Sequence, residues 1–186
     1  GNSGINKCLD ETDQGFADGE YGKSKRQAEL ALLEIGKNSK MNIVIVRPSL
    51  VYGKGMKGNL NLMFSGIRNG WFPPLPNVSN HRSMIHVNDL IVALFKLSLD
   101  KRAYGEIFIA TDGQPYSSRE IYESMCRIIG KKVPRWYVPL WVFKLIAKLN
   151  RGIDYKVDKL FGNEWYSSKK LENLGFKAKK TILNLD

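Results

Sequence analysis

Residues 42–58 read NIVIVRPSLVYGKGMKG, and this stretch decides how the rest of the chain is interpreted. Its first part, residues 42–46, is Asn42 followed by four apolar, β-branched residues, a pattern typical of a strand buried on both faces in a parallel sheet. We expect Pro48 to end the hydrogen bonding of this strand, because proline has no N–H to donate. Its last part, GKGMKG at residues 53–58, matches the G-x-G-x-x-G pattern of dinucleotide-binding loops.

The glycine motif lacks two features of a cofactor loop. Such a loop directly follows a strand, and an acidic residue about 20 positions later binds the ribose. The window around Val78 contains no acidic residue, and Pro48 separates the glycines from the buried strand. We therefore predict a flexible turn that leads into a helix at residues 59–69, rather than a cradle for the cofactor phosphates.

The remainder of the chain alternates helical and strand patterns, which indicates an α/β architecture. Helices are predicted at 20–35 with Gly36 as a stop signal, 88–99 with Asn88 or Asp89 as cap, 118–130 with Ser117 or Ser118 as cap and Glu120 or Glu123 as capping partner, 138–152 and 167–174; strands are predicted at 82–87 and 105–111. Only residues 42–46 look fully buried, and the sequence does not supply the several parallel neighbours that a doubly wound sheet needs. Either an unseen partner covers the strand or the chain is a fragment.

Positive charge is concentrated in one part of the chain. The formal net charge is +11, and no acidic residue occurs between Glu34 and Asp89. The basic residues of this interval are Lys37, Lys40, Arg47, Lys54, Lys57, Arg68 and Arg82. Such a field favours a phosphate-bearing ligand, although a basic surface kept for solubility gives the same pattern. No zinc-finger spacing, RRM-type aromatic motif or basic heptad helix is present, so we predict no nucleic-acid partner.

The cysteines and the hydropathy pattern indicate the compartment. Cys8 and Cys126 lie far apart and have no metal-like spacing, so no metal site is predicted. No apolar run approaches the roughly 20 residues that span a membrane. These features favour a reducing, cytoplasmic setting.

Tyr21 and Lys25 lie four positions apart in YGKSK, near the start of the first predicted helix, and hence on one face of it. This pairing can generate a base, because a nearby ammonium favours the phenolate form of a tyrosine. The spacing alone is not specific, since Tyr155 and Tyr166 are also followed by lysine four positions later. For those two tyrosines we favour a solvated helix pair.

Three motifs in fixed order raise the significance of Tyr21. YGKSKRQAE begins at Tyr21, IVRPSLVYGKG follows at residues 45–55, and HRSMIHVNDL follows at residues 81–90. In this order they closely resemble the extended short-chain dehydrogenase/reductase family, which includes NAD-dependent nucleotide-sugar epimerases, dehydratases and reductases. The ending, SSKKLENLGFKAKKTI at residues 167–182, resembles the family's C-terminal segment. Within the family, the chain looks most like UDP-glucose 4-epimerase-like proteins of surface-polysaccharide pathways.

The resemblance implies a fold and a division of the chain. It implies an incomplete Rossmann-like NAD(P)-binding fold that lacks the N-terminal strands and the glycine-rich cofactor loop. Residues 1–58 would be the remnant of the NAD-binding domain with the Tyr21 helix. Residues 59–186 would mainly form the sugar-nucleotide-binding region. The family's catalytic serine or threonine precedes the tyrosine at a distance that neither Ser3 nor Thr12 matches.

The resemblance also implies roles for five residues. Tyr21 would be the catalytic tyrosine and would move a proton to or from a sugar hydroxyl. Lys25 would hold the nicotinamide ribose hydroxyls, and Pro48 would lie beside the nicotinamide carboxamide. Asn59 would face the phosphates of the sugar nucleotide. Arg82 would clamp the pyrophosphate, for which a forked guanidinium is well suited.

Three further polar residues near these motifs are interpreted as structural. Arg47 is expected to support the neighbouring Pro48 rather than to touch a ligand. His86 alternates with Met84 on a short strand and is expected to be packed, without a catalytic part. Asp89 is expected to cap a helix rather than to act as an acid.

The function that the resemblance implies is that of an NAD-dependent UDP-hexose 4-epimerase, with NADP as a possible cofactor. A UDP-sugar would be the substrate, and a homodimer would form through the tyrosine-bearing helix. A 4-keto-sugar nucleotide reductase using NADPH, or a dehydratase, is the alternative enzyme. Because the serine and the cofactor loop are missing, we expect the chain alone to be inactive.

Residues 135–152, RWYVPLWVFKLIAKLNRG, leave open a function of another class. The segment is basic and amphipathic, as are helices that lie on anionic bilayers. Its polar face carries few lysines compared with such anchors, so a lid helix over the sugar nucleotide is the favoured interpretation. On this basis the sequence does not predict membrane association.

Overall fold

The computed structural model describes residues 7–13, 19–149 and 151–184. Its helices are α1 (Gly19–Asn38), α2 (Gly58–Asn69), α3 (Val87–Leu99), α4 (Ser118–Ile129), α5 (Leu140–Leu149), α6 (Arg151–Phe161) and α7 (Lys169–Asn173). Its strands are β1 (Ile45–Pro48), β2 (Leu50–Tyr52), β3 (Arg82–His86), β4 (Ile107–Ala110) and β5 (Pro115–Tyr116). The predicted α/β architecture is confirmed.

The strands form two small sheets. β1 pairs in parallel with β4, so that Ile45 lies opposite Ile107. β2 pairs in parallel with β3, and β3 pairs antiparallel with β5. In the part of the chain that the structure describes, the apolar strand thus has one parallel neighbour, not the several of a doubly wound sheet. The neighbour is β4, whose sequence lies about 60 positions further along the chain.

The apolar strand itself differs from the prediction for residues 42–46. It begins at Ile45 and includes Pro48, and only Ile45 in it is fully buried. Pro48 does not end the pairing, because the N–H of Ser49 donates to the carbonyl of Ala110 at 3.0 Å. Successive residues of a strand point their N–H groups to opposite sides. The missing donor of Pro48 therefore falls on the side away from β4.

Two clusters of buried side chains lie behind the sheets. One is built on β2, β3, α2 and α4, and its members include Tyr52, Leu60, Met63, Met84, Ile121 and Met125. The other is built on β3, β4, α3 and α7, and its members include Ile85, Leu97, Phe108, Leu171 and Phe176. Residue 58, the predicted division of the chain, lies between β1 and its partner β4, and the division stays a prediction.

α1 lies beside β1, and none of its residues is fully buried. Gly36 was predicted to stop this helix but lies inside it, which was an error. Close packing explains the glycine at this position, because a Cβ at Gly36 would lie 2.9 Å from Cγ1 of Ile43. A bidentate ion pair joins the two elements: Arg47 donates to both carboxylate oxygens of Glu29 at 2.8 and 2.6 Å.

Helix caps are partly as predicted. Ser117 and Glu120 form a reciprocal capping box at the start of α4. At the start of α3, neither Asn88 nor Asp89 is the cap, because Nδ1 of His86 accepts the N–H of Asn88 at 3.1 Å. The sequence does not predict a histidine ring as the cap, since capping residues are usually small and polar.

The single helix expected over residues 138–152 is two helices, α5 and α6, which pack against each other. Phe143 of α5 and Phe161 of α6 make an edge-to-face contact with ring centroids 5.2 Å apart. Across the residues that the structure describes, no helix combines the length and the apolar character that crossing a bilayer demands.

Candidate functional site

Tyr21 and Lys25 lie together in the first turns of α1. Nζ of Lys25 is 5.6 Å from the centre of the Tyr21 ring, and Tyr21 is 77% exposed. The same contact occurs between Lys159 and Tyr155 at 5.9 Å, so the contact by itself does not identify a site. Both side chains are open to a ligand that approaches the N-terminal end of α1.

Pro48 is connected to this helix through its neighbour Arg47. Arg47 holds Glu29, and Glu29 lies two turns along α1 from Tyr21. The Arg47 guanidinium holds the pKa of Glu29 below its usual range. Arg47 thus has the structural part that the sequence predicts. The ion pair fixes α1 against the strand that ends in Pro48, which is exposed.

The turn GKGMKG lies between β2 and α2. Gly53 has φ of 123°, and a Cβ there would lie 2.9 Å from Val87 and 3.0 Å from Nε2 of His86. β2 ends at Tyr52, directly before Gly53. One reason given for rejecting a cofactor loop, the distance from the strand, was therefore wrong. The other reason, the acid-free window after the turn, stands.

Asn59 follows this turn in the first turn of α2 and is exposed. Asn61 lies two positions further on, which places it about 200° around the helix from Asn59. The two asparagines therefore face different surroundings. Asn61, not Asn59, lines a cleft of about 390 Å³ between α2, α4 and the turn.

The cleft has an apolar floor and a basic rim. Phe64, Met125 and Ile128 contribute apolar surface, and Lys54 and Arg68 are the cationic residues of its lining. The sequence did not indicate this cleft, since its walls come from segments far apart in the chain. None of the five residues predicted to form the site belongs to its lining.

Arg82 is buried in an ion-pair network. Its Nη2 lies 3.0 Å from a carboxylate oxygen of Glu164, and its Nη1 donates to the carbonyl of Lys159. Lys159 is also paired with Glu164, at 2.9 Å. The Arg82 side chain is only 8% exposed. A role in clamping pyrophosphate stays a prediction, and it would require the guanidinium to exchange Glu164 for the ligand.

Asn80 holds the segment that carries Arg82 in place. Its amide donates to Oγ of Ser118 at 2.9 Å and to the carbonyl of Gly162 at 3.2 Å, and its Oδ1 accepts the N–H of Ser118. Asn80 is buried. It therefore joins the start of β3 to α4 and to the chain after α6. Sequence reasoning missed it because an asparagine in a proline-rich loop is ordinarily a turn residue.

Asp89 has a structural role, but this role is not the predicted helix cap. Its Oδ2 accepts the N–H groups of Lys179 and Lys180 at 3.1 and 2.9 Å. It thereby fastens the C-terminal segment to α3. His86 is packed as predicted, edge to face against Tyr52 with ring centroids 5.2 Å apart. Burial lowers the pKa of His86, in keeping with its acceptance of a hydrogen bond through Nδ1.

Asp112 is a partly buried carboxyl group that the sequence did not single out. Burial raises its pKa to about 6, although the hydroxyl of Tyr116 donates to it at 2.6 Å and favours the carboxylate. The backbone N–H of Gln114 donates to its other oxygen. The folded state therefore binds this proton more tightly than the unfolded chain does, whose carboxyl has the ordinary pKa of 3.8.

Replacing Asp112 by asparagine is expected to stabilise the protein at pH 8 and not at pH 4. With the folded pKa raised, the carboxyl lowers the free energy of unfolding as the pH rises from about 4 to about 6. At pH 8 the substitution should raise the free energy of unfolding by about 1 kcal/mol. This value allows for the contact of the side chain with water and for the loss of one carboxylate oxygen that accepts a hydrogen bond. Thermal unfolding at the two pH values measures it.

Asp100→Asn is the control for this prediction. Hydrogen bonds from Arg102 lower the pKa of Asp100 to about 2, so its carboxylate stabilises the folded state above pH 4. The substitution should therefore change stability at pH 8 in the opposite direction. Equal responses of the two variants would contradict the assignment for Asp112.

Comparison with known proteins identifies what this arrangement is similar to. Residues 9–110 match the NAD dependent epimerase/dehydratase family. The "UDP-glucose 4-epimerase" of Vibrio cholerae is 32% identical over 165 residues, which cover 88% of this chain and 50% of that protein. The "N-acetyl-alpha-D-glucosaminyl-diphospho-ditrans,octacis-undecaprenol 4-epimerase" of Escherichia coli O157:H7 is 26% identical and covers 87% of this chain and 53% of that protein.

A solved structure shows the same fold. The UDP-glucose 4-epimerase of Thermus thermophilus in complex with NAD matches with a TM-score of 0.63 and 18% identity, over 88% of this chain and 51% of that one. The chain thus spans about half the length of the curated relatives and of this structure. The predicted Rossmann-like fold with a partial sheet is confirmed.

Proposed function

The chain belongs to the NAD dependent epimerase/dehydratase family, and we propose that it is the substrate-binding portion of an NAD-dependent epimerase that inverts C4 of a UDP-hexose. The observation that carries the proposal is the arrangement at α1. Tyr21 and Lys25 lie open on one face of a helix that the Glu29–Arg47 pair fastens beside Pro48. The names of the Vibrio and Thermus relatives support the reaction and the sugar nucleotide.

The residues present fit the nicotinamide end of the cofactor. Tyr21, Lys25 and Pro48 are all exposed, and the ammonium of Lys25 offers three donors to ribose hydroxyls. NAD, when bound, accepts a hydride from C4 of the sugar and returns it. The strand, turn and helix around Gly53 do not fit its adenosine end, because the acidic ribose ligand is absent after the turn.

Tyr21 performs the proton transfer in this proposal. Its phenolic oxygen takes the proton of the C4 hydroxyl as the hydride leaves C4, and it returns a proton to the C4 oxygen when the hydride comes back to the other face of the sugar. Lys25 lies beside the Tyr21 ring and orients it. Proton transfer by a positioned side chain of this kind contributes typically about 10²–10⁴-fold to a rate.

Asn59 and Arg82 bind the diphosphate in this proposal. Asn59 is exposed in the first turn of α2, where the helix dipole favours an anion. Arg82 lies on β3, beside β2, and reaches the ligand by leaving Glu164. The acid-free basic interval from residue 35 to residue 88 supports an anionic ligand on this side of the molecule.

Binding of UDP tests the proposal without any turnover. We expect Asn59→Ala to weaken UDP binding about tenfold, which is the usual value of a hydrogen bond to a charged group. Isothermal titration calorimetry measures the affinity. Asn61→Ala is the matched control, because Asn61 lies on the same helix but lines the cleft.

Two results would contradict this assignment. If the protein binds no UDP at millimolar concentration, the sugar-nucleotide proposal is wrong. If Asn61→Ala weakens binding and Asn59→Ala does not, UDP occupies the cleft between α2 and α4, and the predicted site is misplaced.

A reductase acting on 4-keto-sugar nucleotides with NADPH, or a dehydratase, is the alternative enzyme. Either enzyme would use Tyr21 and Lys25 in the same way. The difference from an epimerase would lie in the segment that selects the cofactor. The relative from E. coli O157:H7 is named for a hexose on a lipid diphosphate, which supports a lipid, besides the uridine nucleotide, as the carrier of the sugar diphosphate. Competition of each ligand with UDP distinguishes the carriers.

We also predict that the enzyme is a cytoplasmic homodimer that forms through α1. In the structure α1 buries none of its residues, and Leu30, Leu32 and Ile35 are each 44–52% exposed. Exposed apolar side chains of this size favour burial against another surface.

A further inference from the structure

α5 turns an apolar face outward. Phe143 and Ala147 are buried, and they fasten the helix to the protein. Trp141 and Leu145 are 65% and 56% exposed. With 100° between successive residues, Leu145 lies about 200° from both Phe143 and Ala147, on the side opposite to the buried residues. A lid that closes over a ligand would turn these two side chains inward, whereas here they face away from the body of the protein.

Aromatic side chains extend this face into the loop before α5. Trp136 and Tyr137 are 63% and 51% exposed. The loop that carries them is held on both sides, since Arg119 donates to the carbonyl of Pro134 at 3.1 Å and the N–H of Val138 donates to Pro74 at 3.0 Å. The two rings therefore project from a fixed position. Tryptophan and tyrosine are the residues enriched where an apolar phase meets water.

The chain segment that carries this face is positively charged. Residues 124–153 contain no acidic residue and seven basic ones. Lys144 and Lys148 are exposed on α5, each three positions after an outward-facing apolar residue, and so they border the apolar strip. A partner that covers the strip must then be apolar in its interior and anionic at its surface.

We propose that the α5 face, defined as Trp136, Tyr137, Trp141, Leu145 and the bordering lysines Lys144 and Lys148, docks on the surface of an anionic lipid bilayer. An amphipathic helix of this kind lies in the plane of the interface with its apolar side about 5–10 Å deep. The lysines contact acidic headgroups, and the indole rings lie at the headgroup level. The binding is peripheral, and it does not depend on the proposed reaction.

The charge pattern separates this face from the apolar face of α3. Ile91 and Phe95 are also an exposed pair four positions apart, with exposures of 58% and 68%. Around them the sequence mixes both signs, with Asp89 and Asp100 as well as Lys96, Lys101 and Arg102. The α3 pair therefore has a similar fractional exposure without the acid-free basic border, and it provides the matched control.

Flotation with liposomes tests the proposal. The protein should float with vesicles of phosphatidylcholine and phosphatidylglycerol (7:3) at low salt, and not with phosphatidylcholine alone. Trp141→Glu/Leu145→Glu should lower the partition coefficient at least tenfold, and Ile91→Glu/Phe95→Glu should leave it within about twofold. Lys144→Glu/Lys148→Glu should lower it about tenfold or more, as should 0.5 M NaCl.

Circular dichroism and thermal unfolding show whether each variant folds, and the lysine variant changes no apolar contact. Equal flotation of the wild type and the Trp141/Leu145 variant would overturn the proposal. So would binding that ignores lipid charge. If the wild type never floats and instead forms a dimer that Trp141→Glu/Leu145→Glu dissociates, the α5 face binds a second copy of the chain, and the proposal is wrong.

Discussion

Glu164→Gln is expected to lower the free energy of unfolding by about 3 kcal/mol, which is in the range for breaking a buried ion pair by removing one partner. Glu164 neutralises two cations, Arg82 at 3.0 Å and Lys159 at 2.9 Å. The Arg82 side chain is 8% exposed and that of Glu164 is 17% exposed. With glutamine in place of the carboxylate, the guanidinium keeps its charge in a site that water scarcely reaches.

Chemical denaturation of three variants measures this effect. Glu106→Gln is the surface control, because the pair of Glu106 with Lys170 is 51% and 37% exposed, and it should lose less than about 1 kcal/mol. The double variant Glu164→Gln/Arg82→Met should recover part of the loss, since it leaves no unpaired guanidinium. A Glu164 variant no less stable than the Glu106 variant would show that the pair is not effectively buried.

Variants of the Arg82–Glu164 pair also test whether Arg82 has a second role as a ligand for diphosphate. If Arg82 exchanges Glu164 for a ligand, then Glu164→Gln frees the guanidinium and should tighten UDP binding, while Arg82→Met should weaken it. If Arg82 is purely structural, neither variant changes the affinity of the folded protein. Calorimetry at a temperature where both variants are folded separates the two results.

Local signals in the sequence predicted local structure well. The capping box at Ser117 and Glu120 and the strand that becomes β4 depend on neighbouring residues, which a single sequence displays. The three ordered motifs likewise predict the Rossmann-like fold without any knowledge of tertiary contacts. Pro48 shows where local rules are insufficient, because the consequence of a missing N–H depends on which side of the strand has a partner.

Tertiary partners were not predictable in the same way. Arg82 and Glu164 are 82 positions apart, and no pattern in either neighbourhood indicates the other. Gly36 was interpreted as a helix stop because the approach of Ile43 cannot be read from composition. The cleft between α2 and α4 was missed for the same reason, since its lining comes from the turn, two helices and the C-terminal segment.

Tyr21→Phe is expected to lower the rate of C4 epimerisation about 10²–10⁴-fold, with little change in the Michaelis constant. In the proposed mechanism the phenol contributes in the transition state, where the proton of the C4 hydroxyl is in transfer, so its loss falls on kcat. The structure places the Tyr21 hydroxyl group on an exposed face beside Lys25, so removing one oxygen atom leaves no buried group unpaired. Stability should therefore be unchanged, which makes the activity the informative measurement.

Turnover can be followed by NAD-dependent conversion of a UDP-hexose in an enzyme that joins the amino-terminal half of a family relative to this chain. Tyr155→Phe is a closely matched control, because Tyr155 has a lysine at the same spacing, the same ring contact at 5.9 Å and 63% exposure. It should retain full activity. Two tyrosines that share spacing, exposure and a cationic neighbour then differ only in their position in the fold. A loss confined to Tyr21 would show that this position confers the chemistry. Equal losses, or none, would remove Tyr21 from the reaction.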